Sequence, residues 1–96
     1  MIIEILRFRL SRTAEEAAFL EADKRVQTEF AYQQPGLLRR TTAKGADGIW
    51  GVVDLWRSAA DADRCDGLWG QQPVTDDFRK FMDPNSVTTE RFETLD

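Results

Sequence analysis

The chain has 96 residues, 42% hydrophobic and 31% charged, with a formal net charge of −4, which predicts one domain over residues 1–96 with no room for a second core. Its apolar runs are too short for a transmembrane helix, its composition excludes a disordered chain, and its acidic balance speaks against nucleic acid as a partner. No histidine is present, which removes the imidazole general base, the Ser-His and Cys-His nucleophile pairs, His-ligated zinc and a proximal haem histidine. Cys65 is the only cysteine, so neither an internal disulfide nor a thiolate metal cluster can form. With an acid at Glu4 and no basic leader before an apolar stretch, the N-terminus does not read as a signal peptide, and the expected compartment is the cytoplasm.

In chain order, residues 2–10 read as a strand that is apolar on both parities, Ile3 and Ile5 against Leu6, Phe8 and Leu10. Thr13-Ala14-Glu15-Glu16 fits a capping box, and the helix after it is expected to run to about Gln33, its Ala18, Phe19, Ala22, Val26, Phe30 and Ala31 recurring at helical spacing. Pro35-Gly36 stops it. Leu37 to Ala43 reads as an edge strand, and Lys44-Gly45-Ala46-Asp47-Gly48 as a hairpin loop. A strand from Ile49 to Arg57 follows. Ser58 caps a second helix, interrupted by Gly67 and Gly70, and Thr75-Asp76-Asp77 caps a short third one. Asp83-Pro84-Asn85 turns the chain into a last strand, Ser86 to Leu95. Strand, helix, strand, strand, helices, strand is the order of an α+β, ferredoxin-like split β-α-β sandwich with a four-stranded antiparallel sheet.

The strand from Ile49 to Arg57 decides the assembly. Trp50, Val52 and Trp56 with Asp54 form one face, and Ile49, Gly51, Val53 and Leu55 the other. A strand apolar on both sides belongs to a sheet covered on both sides. The helices suffice for one cover, so the second is expected from another copy, packed against a face bearing Leu6, Phe8, Leu10, Val53 and Leu55. At roughly 25 cal/mol per Å2, leaving such a face wet forgoes on the order of 10 kcal/mol. The alternative is that the chain's own helices cover more.

Gln34-Pro35-Gly36-Leu37-Leu38-Arg39-Arg40, the glycine hairpin, and Trp50 through Trp56-Arg57-Ser58-Ala59-Ala60-Asp61-Ala62 resemble the dimeric α+β barrel superfamily, within it antibiotic-biosynthesis-monooxygenase-type domains. Phe81-Met82-Asp83-Pro84 with Val87 through Phe92 also fits. The resemblance implies two sheets packed face to face in a homodimer, and a small-molecule pocket between each sheet and its helices. It implies as activity a cofactor-independent monooxygenase acting on an aromatic or polyketide-like compound, or else a non-catalytic ligand-binding or structural dimer. No cofactor, metal, nucleic-acid partner or membrane is implied. Trp56 matches the pocket tryptophan of the third strand. Arg7 falls where haem-degrading members place an asparagine, and Met82 where they place their iron-binding histidine, a departure that speaks against haem degradation.

Asp54 is then the candidate catalytic residue, and Trp56, Arg7, Trp69, Phe78 and Met82 the candidate ligand-binding ones. Each has a plain alternative. Trp56 can simply fill the core. Trp69 and Phe78 either close over a flat ligand or pin a loose segment. A carboxylate on the inner face must be paired, hydrogen-bonded or raised in pKa. If Asp54 pairs with Arg7 its role is structural; unpaired beside a cavity, it is a general base. The strand arginines read as cross-strand partners for Glu4, Glu90 and Glu93, or as a site for an anionic ligand. Cys65, with no base nearby, reads as inert packing.

Overall fold

The structure, a computed structural model, describes residues 1–95. Four strands, β1 (Ile2–Arg9), β2 (Leu37–Lys44), β3 (Ile49–Trp56) and β4 (Thr88–Glu93), form one antiparallel sheet in the order β2-β3-β1-β4. Helices α1 (Glu16–Glu29), α2 (Ala59–Leu68) and α3 (Pro73–Arg79) cover one of its faces. This is the α+β ferredoxin-like fold expected.

Caps and breakers set the element ends. Ser58 Oγ accepts a hydrogen bond from the Asp61 amide at 3.2 Å, starting α2 as its sequence predicts. The other two helix starts differ from expectation. A turn closed by the Ala14 amide on the Ser11 carbonyl uses up the Thr13 region, so α1 begins at Glu16 with Glu15 as an N-cap lacking a side-chain bond. α3 begins at Pro73, whose missing amide costs nothing at that position. Thr75 lies inside it, fully buried, its hydroxyl donating to the Gln72 carbonyl and accepting from the Gly70 amide. α1 also stops at Glu29 rather than running to Gln33, because Phe30 leaves helical geometry and a 3-10 turn, Ala31–Gln33, takes over. α2 continues through Gly67 to Leu68.

The antiparallel register sorts the strands into two faces. Beneath the helices lie Ile2, Glu4, Leu6 and Phe8 of β1 and Trp50, Val52, Asp54 and Trp56 of β3. Phe8, Phe19, Phe30 and Phe78 are almost fully buried, and Phe19 meets Trp50, Phe78 and Phe8 at 5.0, 5.4 and 5.6 Å between ring centroids. On the open face Ile3 stands opposite Leu55 and Phe92, and Ile5 opposite Val53. The face expected to be open, bearing Leu6, Phe8 and Leu10 with Val53 and Leu55, is therefore a mixture of both sides. With β1 apolar on both parities, composition could not choose between them. Its pairing with β3 does.

Gly36 joins the first half of the fold to the second. Its φ of +86° favours glycine, and an added Cβ would come within 2.2 Å of Asp61 Oδ2 and 2.6 Å of Asp61 Cβ. Asp61 cannot retreat easily, since Ser58, Arg64 and Arg57 all hold its carboxylate. Gly36→Ala is expected to destabilise the fold by about 2–4 kcal/mol, from left-handed backbone strain plus the clash. Gly67→Ala, where nothing lies within 4 Å, is expected to stabilise by about 0.5–1 kcal/mol. Urea midpoints measured side by side check both, and equal midpoints would refute the pair.

Candidate active site between the sheet and its helices

A cavity of about 910 Å3 lies between the helix-side face of the sheet and the layer above it. Its floor is the alternating pattern of β1 and β3: Glu4, Leu6, Val52, Asp54 and Trp56. Phe30 from the end of α1, Cys65 and Asp66 from α2, Trp69, Phe78 of α3 and Met82 supply much of the remaining wall. Trp69 stands edge-on to Phe30 at 5.7 Å and to Phe78 at 5.9 Å, giving that wall rigid aromatic surfaces.

Two carboxylates lie opposite each other on the floor, Glu4 of β1 and Asp54 of β3, and their surroundings differ sharply. Glu4 is satisfied at both oxygens. It accepts from Trp56 Nε1–H at 3.1 Å, and from Arg91 Nε–H and Nη2–H at 3.2 and 2.8 Å. Arg91 also donates to Asp63 at 2.8 Å and Asp66 at 3.1 Å, tying β4 to α2. These bonds hold the Trp56 ring, 1% exposed, against the cavity.

Asp54 has no such partner. Its Oδ1 is shut off from solvent and makes no hydrogen bond, although the side chain as a whole keeps 25% of its surface open. The nearest cation, Arg40 Nε, stands 4.0 Å away, too far for a hydrogen bond. Burial pushes the Asp54 carboxyl up to about 6, Arg40 opposing and the charges of Glu4, Asp66 and Asp23 adding to the rise. A carboxylate that changes charge near neutrality beside a large cavity can accept a proton from whatever occupies it. Asp66 is also raised to about 6, first by burial and then by Glu4. Cys65 is buried and its thiol pushed up to about 12 by the same loss of solvent, so no thiolate forms there.

Of the residues singled out in the sequence, Asp54, Trp56, Trp69, Phe78 and Met82 all line this cavity. Arg7 does not. It lies on the opposite parity of β1, facing Gly51 across the ladder, and pairs on the open side with Glu90. The expected pairing of Arg7 with Asp54 is thus corrected: the two are on different faces of the sheet. The strand arginine on the cavity side is Arg40; Glu4, Asp66, Asp76, Arg79 and Lys80 also line the cavity, and Arg91 reaches it only through its bonds to Glu4. Among the described residues, no three His, Cys, Asp or Glu side chains gather in a metal-binding group, and no helix is long and apolar enough to cross a membrane.

No protein-family model matches this sequence, and no curated protein matches it significantly. Its likeness to known proteins lies in the fold. SnoaB, a cofactor-independent oxygenase from Streptomyces nogalater, superposes with a TM-score of 0.80 at 18% identity, over 99% of this chain and 93% of that one. A protein from Caulobacter crescentus described as an antibiotic biosynthesis monooxygenase gives 0.77 at 14% identity, over 99% and 90%. One from Nitrosomonas europaea with the same description gives 0.72 at 19% identity, over 99% of each chain.

Proposed function

We propose that this protein is a homodimeric, cofactor-independent monooxygenase acting on a small aromatic or polyketide-like compound, with Asp54 as its general base. The observation that carries this reading is a carboxylate without a hydrogen bond at its buried oxygen, titrating near 6, on the wall of a cavity of about 910 Å3. Met82 and Phe78 line that cavity without filling it, which argues against a purely structural role. The fold shared with SnoaB, itself described as a cofactor-independent oxygenase, supports the same chemistry.

The reaction follows from the groups present. An electron-rich ring with an acidic methylene binds between Trp69 and Phe78 above and the sheet below. Asp54 takes one proton, from the methylene carbon or, in the enol tautomer, from its hydroxyl; both give the same enolate, whose carbon adds dioxygen to give a peroxide anion. The proton held on Asp54 returns to the peroxide, and loss of water leaves a carbonyl carbon. One methylene and one dioxygen become one carbonyl and one water. The protein contributes orientation, exclusion of bulk water and the proton acceptor. Dimerisation through the open face would cover Ile3, Ile5, Val53, Leu55 and Phe92, which one chain leaves partly or largely exposed.

The test is dioxygen consumption with anthrone-type compounds. Because the base must be ionised to act, the rate is expected to rise with pH through about 6 and then level off. No oxygen uptake over background with any such compound, or a rate that falls as pH rises through that range, would remove the monooxygenase reading and leave a binding module.

A further inference from the structure

Arg40 and Asp54 both line the cavity, yet they do not meet. Arg40 Nε and Asp54 Oδ1 are 4.0 Å apart, about 1 Å beyond a good hydrogen bond. The gap is held open from behind the arginine. Its Nη2 donates to Asp23 at 2.8 Å, its Nη1 donates to Gln27 and Thr42 at 3.3 Å each, and its guanidinium lies 5.6 Å from the centre of the Phe78 ring. Only 3% of the side chain is exposed. Within that guanidinium, Nε is the nitrogen with no hydrogen bond among the described residues. Across from it, Asp54 Oδ1 is a buried acceptor with no donor. A buried acceptor left without a donor is costly, and the Arg40 Nε–H facing it is the donor still free to share. An oxygen about 2.8 Å from both would sit about 2 Å off the line joining them, within reach of the cavity.

We propose that Arg40 and Asp54 form a clamp for one acidic hydroxyl of the ligand, a phenol or an enol, whose oxygen accepts from Arg40 Nε–H while its proton goes to Asp54 Oδ1. This rests on the reading of Asp54 as a base and deepens it: it names the group that docks and makes Arg40 a catalytic residue. The chemistry excludes the alternatives. An ether has no proton for Asp54, an ammonium would be repelled by Arg40, and a carboxylate would bring a second negative charge against Asp54. A neutral hydroxyl satisfies both sides. When it ionises in place, the O–H bond breaks and its proton bonds to Asp54. The negative charge thereby moves from Asp54 to the ligand oxygen beside Arg40, and the net charge of the site is unchanged. An arginine fixed before the ligand arrives is suited to hold that developing oxyanion.

The probes are para-nitrophenol, whose phenolate is yellow and whose phenol is colourless, and para-nitroanisole, the same ring without the proton. The wild-type protein is expected to bind the phenol at least about tenfold more tightly than the ether, and to turn it yellow at a pH where the free dye is colourless. Affinity is expected to fall at alkaline pH, where a phenolate meets an unprotonated Asp54. In Asp54→Asn that alkaline loss disappears. In Arg40→Met the colour change disappears and affinity drops at least about tenfold. Should Arg40→Met misfold because Asp23 is left unpaired in the core, Asp23→Asn/Arg40→Met removes both charges and is read in the same way. Equal binding of the two dyes, no binding of either, a bound dye that stays colourless, or colour that survives the loss of Arg40 overturns the clamp. None of these readouts uses oxygen, so the clamp and the monooxygenase reading can fail separately.

Discussion

Asp54→Asn is expected to lower oxygen-dependent turnover by about 10²–10⁴-fold while leaving the protein folded, because asparagine keeps the shape and loses the proton acceptor. The same substitution is expected to raise stability at neutral pH. The folded protein holds Asp54 near 6 against the ordinary 3.8, so its carboxyl binds a proton more tightly folded than unfolded. Stability from this group is therefore greatest in acid, falls as pH rises from about 4 to about 6, and stays at its low value above that range. Removing the charge should recover up to about 2 kcal/mol, discounted for the part of the side chain that reaches solvent. A gain in urea midpoint coupled to a loss of turnover is the signature of a group kept for chemistry. If the variant lost both activity and stability, Asp54 would be structural; if it kept full activity, the base lies elsewhere.

Val53→Asp is expected to split the proposed dimer into folded monomers. Val53 stands opposite Ile5 and beside Leu55 on the side of the sheet that the helices do not cover, and is 38% exposed in the single chain. A carboxylate there is tolerated in water but has no partner between two apolar sheets, a cost of several kcal/mol at each of two symmetry-related positions. Sedimentation equilibrium should give half the wild-type mass with an unchanged far-ultraviolet circular dichroism spectrum. A wild-type protein that is already monomeric in dilute solution, or a variant of unchanged mass, would show that this face is not where copies meet.

How much of this was legible beforehand depended on periodicity. Asp54 and Trp56 could be placed on one face because alternation along β3 is strict, and both line the cavity. The order of elements followed from the breakers at Pro35-Gly36 and Asp83-Pro84. Arg40 was hidden by a local irregularity. With Leu37 facing the helices, simple alternation would send Arg39 inward and Arg40 outward. The register slips between Leu37 and Arg39, setting Leu37 against Trp56, Arg39 against Leu55 and Arg40 against Asp54. Such a bulge leaves no mark in a run of polar residues. Arg7 was misassigned for a related reason: its strand is apolar on both sides, so only pairing with β3 could say which way it points. Glu4 looked like one more cross-strand partner, because the four donated bonds and contacts that centre on Arg91 join segments far apart in the chain.

The alternation along β3 also means that neighbouring residues answer to different surroundings. Changes at Val52, Asp54 or Trp56 alter what the chamber admits and what it can do, whereas changes at Val53 or Leu55 reach only the outer side of the ribbon. A single substitution can therefore alter one surface of the ribbon and leave the other as it was.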